Sequence, residues 1–247
     1  MDAAHGAAAE ADGEAVTIDL AARRYVGSHD AGPILALYKP ELATLTKYGT
    51  AADSWMRIVH GVTKVKTQAM GRGLLVEPEN REAYRQHIGP VSESPGVLVH
   101  PRYPWAAASP DGLIEPDGLL EIKSVSEFAR GSWGEPGTDA IPDGYNIQVQ
   151  WLLECSGREW AHVWAVFGRD YKAEDGSPGW ATTETAIYQA RRDADLARAL
   201  VEACARFWVE HVETRIPPPV EPVNNRRWWA NFLKSNGSTS AAKEAAQ

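Results

Sequence analysis

The apolar positions change their period twice along the chain. From Ala31 to His60 they recur at helical intervals, with Pro33 near one start and Lys39-Pro40 interrupting, which predicts short helices joined by a turn. The stretch GRGLLVEPENREAYRQHIG predicts a further helix ending near Gly89, and Pro78 inside it predicts a kink or a restart. The middle of the chain reads differently. GVLVH, DGLIE, LLEIKSV, IQVQWLLEC, AHVWAVF and TAIYQA are short, apolar or alternating, and separated by Gly, Pro and Asp, which is the pattern of a sheet. The segment DADLARALVEACARFWVEHVETR returns to a helical period, with Leu196, Leu200, Ala203 and Phe207 on one face, and the prolines of IPPPVEPV stop it. Helices, then strands, then a helix predict an α/β (α+β) domain with a central mixed sheet flanked by helices.

At 247 residues, 44% apolar and 23% charged, the chain is long enough for one sizeable core. Residues 1–15 are rich in Ala, Gly and acid, and 235–247 are small and polar, so both are expected to be disordered tails around a single domain over 16–234. No run approaches a membrane span and the opening lacks the order of a signal peptide, so a cytoplasmic protein, here of a bacterial host cell, is expected. Cys155 and Cys204 have no metal-ligand spacing and read as reduced core thiols. The ten tryptophans lie mostly in predicted strands, where core packing explains them better than base stacking; Trp228-Trp229 after Arg226-Arg227 stands apart as a candidate contact to DNA or another subunit. A net charge of −8 argues against a protein that coats nucleic acid nonspecifically. It leaves room for a local basic channel, and Lys47, Arg57, Lys64, Lys66 and Arg72 form a stretch without an acid after Asp53.

Candidate chemistry lies in SPDGLIEPDGLLEIKSV. With Pro116-Asp117-Gly118 as the turn of a hairpin, Leu113 falls opposite Glu121 and Asp111 opposite Lys123. Glu121 and Lys123 then share a face while Leu120 and Ile122 point into the core. Asp111 lies diagonal to Glu121, within about 8 Å, a gap that a shared ion can bridge. Two carboxylates and an amine on one face suit metal-assisted phosphodiester hydrolysis, since carboxylates are hard ligands for Mg²⁺ and an adjacent Lys can orient water and stabilise charge. The same spacing also fits an ordinary surface hairpin with an Asp to Lys pair and an exposed Glu.

At Pro110-Asp111 and Glu121-Ile122-Lys123 the sequence resembles the PD-(D/E)xK nuclease superfamily. The string SPDGL, followed by EIK and by Tyr145-Asn146-Ile147-Gln148-Val149-Gln150, closely resembles the YqaJ-like viral recombinase family, which includes phage lambda exonuclease. Gly73 and Glu77 are similar to the family's helix in which a Gly precedes a catalytic Glu by four positions. VGSHDAGPILAL resembles its glycine-serine-acid opening, with His29 where a Ser is commoner, and ARFWVEHVETRIPPP its closing helix.

The resemblance implies a restriction-endonuclease-like core in which Asp111 and Glu121 bind metal, with the Ile122 carbonyl as a further ligand and Glu77 serving a second ion or its waters. It implies Mg²⁺ or Mn²⁺, two ions per site, with Lys123 serving the attacking water. Gln148 would support the site from a neighbouring strand, with Gln150 on the same face behind it. Arg23, Arg24 and Ser28 are the candidates for gripping a 5′ phosphate. The implied activity is 5′ to 3′ degradation of one strand at double-stranded DNA ends, leaving single-stranded DNA for recombination. The implied assembly is a ring-shaped homo-oligomer, such as a trimer, that works with a single-strand annealing protein. Two rivals stay open: an endonuclease or repair nuclease with the same site, and a noncatalytic DNA-binding or assembly module.

Overall fold

A computed structural model describes residues 24–41, 49–62 and 68–219. Arg23, Lys47, Lys64, Lys66, the Trp228-Trp229 pair and both expected tails lie outside the described residues.

Helices α1 (Ser28–Tyr38) and α2 (Ala51–His60) come first, divided where Lys39-Pro40 predicted a break. Helix α2 is closed by local chemistry: Thr50 Oγ1 accepts from the Asp53 amide at 3.1 Å, Asp53 Oδ2 accepts from the Thr50 amide at 2.7 Å, and Gly61 ends the helix at φ 69°. Helix α3 (Gln68–His87) runs through Pro78 as one helix. The amide missing at Pro78 costs the Leu74 carbonyl its partner, but Leu74 and Pro78 are both exposed, so water can take that place.

Strands β1 (Leu98–Val99) and β2 (Ala107–Ala108) make a small antiparallel pair. The main sheet has the order β3 (Gly112–Ile114), β4 (Gly118–Ser126), β5 (Trp160–Lys172) and β6 (Pro178–Arg191). Pairs β3/β4 and β5/β6 are antiparallel and β4/β5 is parallel, so the sheet is mixed, as expected. A parallel pair needs a crossover, and α4 (Asp143–Ser156) supplies it.

This helix corrects the reading of IQVQWLLEC as a strand. Ile147, Val149, Gln150, Trp151, Leu152, Leu153 and Cys155 are all buried. A helix enclosed on nearly every side carries apolar residues all round, so no single stripe at a 3.6 period remains to reveal it. Helix α5 (Ala194–Phe207) continues into a π-helical turn, Trp208–Glu213, and buries Leu200, Ala203 and Phe207 as its pattern predicted.

Helices α1, α4 and α5 pack together on one face of the sheet, and α3 lies against β4 on the other. Leu119 and Val125 join the larger core on the α4 side, while Leu120 and Ile122 meet Tyr84, Trp164 and Val166 on the α3 side. Trp105 stacks on Trp208 and leans on Trp151, so these aromatics serve the core. Both cysteines are free and buried, and burial pushes both thiols up.

Candidate active site

The register of the β3/β4 hairpin decides which side chains meet. Observed partners are Gly112↔Leu120, Leu113↔Leu119 and Ile114↔Gly118, so the turn is Glu115-Pro116-Asp117 and Gly118 belongs to β4. This shifts the expected pairing by two residues: Leu113 faces Leu119, where Glu121 had been expected, and Asp111 lies just past the last strand pair. Packing explains the shift. The Trp160 ring lies over Gly118 so closely that an added Cβ would come within 2.4 Å of it, and Trp160 Nε1 donates to Asp117 at 3.0 Å. The glycine is therefore needed as a flat strand position beneath an indole, not as a turn residue.

Strand β3 ends at Gly112, which leaves the outer edge of β4 unpaired beyond Leu120. Asp111 fills the gap. Its amide donates to the Leu120 carbonyl at 3.1 Å and its Oδ2 accepts from the Ile122 amide at 2.6 Å. Within a strand the N–H and C=O of one residue point the same way, so the Ile122 carbonyl opens toward the Asp111 side as well.

Glu121 is 7% exposed and Lys123 lies beside it, with Nζ donating to Glu121 Oε1 at 2.6 Å and to Gln148 Oε1 at 2.8 Å. Since an ammonium only donates, the Gln148 carbonyl oxygen must face it. Tyr145, one helical turn before Gln148, places its ring centroid 5.2 Å from Nζ. Both come from the first half of α4, which crosses the α4 side of β4. Gln148 thus meets the hairpin as expected, but from a helix. Gln150, two residues on, points elsewhere: its amide donates to the Arg191 carbonyl at 2.9 Å and accepts from the Asp193 amide at 2.8 Å, bolting α4 to the start of α5. Strand parity had put the two glutamines on one face, whereas about 100° per residue separates them.

Glu77 projects from α3 and pairs with Arg81. Arg81 also donates to the Asp111 carbonyl at 2.8 Å and to Glu93 at 2.6 Å. Arg81 was not singled out in the sequence, and Tyr145 entered only as part of the string that resembles the family, with no role of its own. An acid and a base four apart on one helix, and an aromatic three residues before Gln148, were the available signals.

The electrostatics follow from this crowding. Burial pushes the Asp111 carboxyl well above the usual carboxylate range, and the charges of Glu121 and Glu77 add to it; the Ile122 amide and Lys123 oppose. Burial pulls the Lys123 ammonium down, but the charge and hydrogen bond of Glu121, with Asp111 and Tyr145 adding, outweigh it and hold Lys123 protonated above its ordinary value. Among the described residues no group of three or more His, Cys, Asp or Glu side chains is gathered around a single point. A carboxylate pair suffices for Mg²⁺, which takes one or two from protein and fills the rest with water and phosphate. Two enclosed carboxylates, one of them raised by burial and then by the charge of the other, are a donor set that a divalent cation would relieve, so the residues fit such an ion.

The amino-terminal candidates lie elsewhere. Arg24 is exposed, and Ser28 Oγ sits 3.4 Å from His29 Nδ1 in the first turn of α1. Asp30 caps that helix through the Gly27 amide at 2.8 Å and pairs with Arg57, which donates to the Tyr25 carbonyl at 2.7 Å. Of the expected basic stretch, the two described members are thus engaged with acids, Arg57 with Asp30 and Arg72 with Asp170 at 2.8 Å.

The model of the YqaJ-like viral recombinase domain matches residues 23–159, more than half of the chain, including Glu77, Asp111, Glu121, Lys123 and Gln148. The chain belongs to the YqaJ-like viral recombinase family. Its fold is similar to that of LHK-Exo, an alkaline exonuclease from Laribacter hongkongensis, at 24% identity and a TM-score of 0.56, covering 80% of this chain and 92% of that one. The LHK-Exo complex with dAMP gives a TM-score of 0.58 over 79% and 91% of the two chains. A phage-related exonuclease from Haemophilus somnus 129PT is similar at 11% identity and a TM-score of 0.52, covering 77% and 96%. At these identities the likeness is one of fold. No curated protein matches the chain. No helix among the described residues is long and apolar enough to cross a membrane.

Proposed function

We propose that this protein is a metal-dependent deoxyribonuclease that degrades linear double-stranded DNA from its ends, 5′ to 3′, to provide single-stranded DNA for recombination. The observation that carries the reading is the Lys123 ammonium, held between Glu121 and Gln148 next to Asp111. Family membership and the exonuclease fold support the nuclease; polarity, metal and recombination role are parts of the proposal.

In this reading Asp111, Glu121 and the Ile122 carbonyl hold Mg²⁺ or Mn²⁺, and Glu77 serves a second ion. When bound, such an ion places positive charge against the phosphoryl oxygens and acidifies water. Lys123, being protonated, acts as a donor and a charge rather than as a base. Two of its three hydrogens go to Glu121 and Gln148, which leaves the third for the attacking water or a phosphoryl oxygen. Gln148 and Tyr145 keep the amine in place, so little reorganisation is needed as charge develops. Arg24, Ser28 and Arg23 are proposed to grip the 5′ phosphate, and a ring-shaped homo-oligomer working with a single-strand annealing protein belongs to the same proposal.

The test is an end-labelled linear duplex with and without a 5′ phosphate, set beside covalently closed circles, with Mg²⁺, Mn²⁺ or EDTA. Shortening of the 5′-phosphorylated strand, dependent on metal, is expected. Efficient cutting of closed circles would favour an endonuclease, and wild-type activity no higher than that of Lys123→Ala would favour a noncatalytic module.

A further inference from the structure

Arg81 joins parts of the site that come from different elements. Its side chain is 7% exposed, and each of its three nitrogens is engaged. Nε donates to the Asp111 backbone carbonyl at 2.8 Å, Nη1 to Glu93 at 2.6 Å, and Nη2 to Glu77. One planar group thus connects the helix that carries Glu77 with the chain entering β3 at Asp111. The bond to Asp111 uses the backbone, so it fixes the residue while its carboxylate stays available. That carboxylate already has a defined direction, because it caps the Ile122 amide at 2.6 Å.

The neighbouring Arg85 gives an internal comparison. It donates to the same Glu93 at 2.5 Å, to Glu82 at 3.3 Å and to the Val91 carbonyl at 2.9 Å, so it fastens α3 to the 91–93 loop. Arg85 shares the fastening role, and Arg81 alone of the two adds the contacts to Glu77 and Asp111. Lysine could not replace Arg81, since a single ammonium cannot span three acceptors set in the directions of a guanidinium fork.

We propose that Arg81 is a positioning residue that sets the placement of Glu77 relative to Asp111 and so tunes metal binding at their site. The inference rests on the metal-dependent nuclease reading above. Glu93 holds one arm of the fork from the outside, being 71% exposed itself, and is a weaker contributor to the same placement.

The experiment measures Mn²⁺ binding to the full chain without DNA, by calorimetry and by the electron paramagnetic resonance signal of free Mn²⁺, alongside kcat, KM and thermal midpoint. Groups that orient metal ligands typically change metal affinity by roughly 10- to 100-fold, and that loss is expected for Arg81→Lys, with a fall in kcat and little change in KM for DNA. Arg85→Gln should lower the thermal midpoint while leaving Mn²⁺ affinity at the wild-type value. Glu93→Ala should lie between the two, and it carries the test if Arg81→Lys does not fold. Wild-type Mn²⁺ affinity in Arg81→Lys, or in Glu93→Ala when the lysine variant is unfolded, would overturn the proposal. So would an equal loss of affinity in Arg85→Gln, which would make the effect one of stability. A wild-type chain that cuts DNA but binds no Mn²⁺ would overturn the metal reading itself.

Discussion

Replacing Asp111 with Asn should make the protein more stable and nearly inactive at once. Asp111 sits at the open end of the hairpin within reach of the Glu121 charge, and its Oδ2 accepts the Ile122 amide, a bond that the Asn carbonyl oxygen can keep. What Asp111→Asn removes is charge. Two unit charges about 6 Å apart, a separation typical of side chains on neighbouring segments of a sheet, repel by about 2.8 kcal/mol at an effective dielectric constant near 20. The Lys123 ammonium offsets part of this, and the raised Asp111 carboxyl relieves more by holding its proton, leaving a gain of about 1–2 kcal/mol. For a chain of this size that is a rise in melting temperature of about 2–8 °C in EDTA at pH 7. Scanning calorimetry measures it. In the same variant DNA cleavage should fall by roughly two orders of magnitude or more, and added Mg²⁺, which should raise the wild-type midpoint by mass action, should leave the variant's unchanged. An Asp111→Asn protein that melts no later than wild type in EDTA, or that still cuts at the wild-type rate, would refute the crowded-carboxylate argument.

Three other outcomes follow from single contacts. Gln148→Ala takes one of two acceptors from the Lys123 amine, so kcat should fall about tenfold, the worth of a charge-assisted hydrogen bond, with KM little changed in steady-state cleavage. Gly118→Ala would drive a methyl into the Trp160 ring, which should cost about 1–3 kcal/mol in urea unfolding; a neutral result would show that the ring is free to move. Glu154 is half-buried, and its partial desolvation alone would raise its carboxyl, but Arg192 and His100 outweigh that and hold it below the ordinary value. A lowered carboxyl contributes stability that is present above the ordinary range and is lost as pH falls through the folded value. Glu154→Gln should therefore be less stable than wild type at pH 7 by about 1–3 kcal/mol, with the gap closing below about pH 4.5.

Much of the site was legible because its central residues are close in sequence. Asp111 directly precedes β3 and Glu121, Ile122 and Lys123 lie on β4 of the same hairpin, where alternation alone puts Glu121 and Lys123 on one face. The misreadings have physical causes of a single kind. IQVQ alternates as a strand does, and only the closed surroundings of α4 explain apolar residues on every side of a helix. Pro-Asp-Gly is a strong turn signal, and it was overridden by an indole from β5 that needs a glycine in the strand beneath it. Gln150 and Gln148 look equivalent in the sequence, and helical rotation sends one to the α5 junction and the other to Lys123.

The sequence by itself determined the alternation of helical and extended segments, the carboxylate and lysine types needed for phosphodiester chemistry, and their order along the chain. These depend on local periodicity and on side-chain chemistry, which neighbours in the chain suffice to express. Only the tertiary structure decided the register of the hairpin, that Gln148 arrives from a helix, and that Arg81 ties α3 to Asp111. Those are contacts between elements up to tens of residues apart, and they are settled by register and packing, which no local pattern carries.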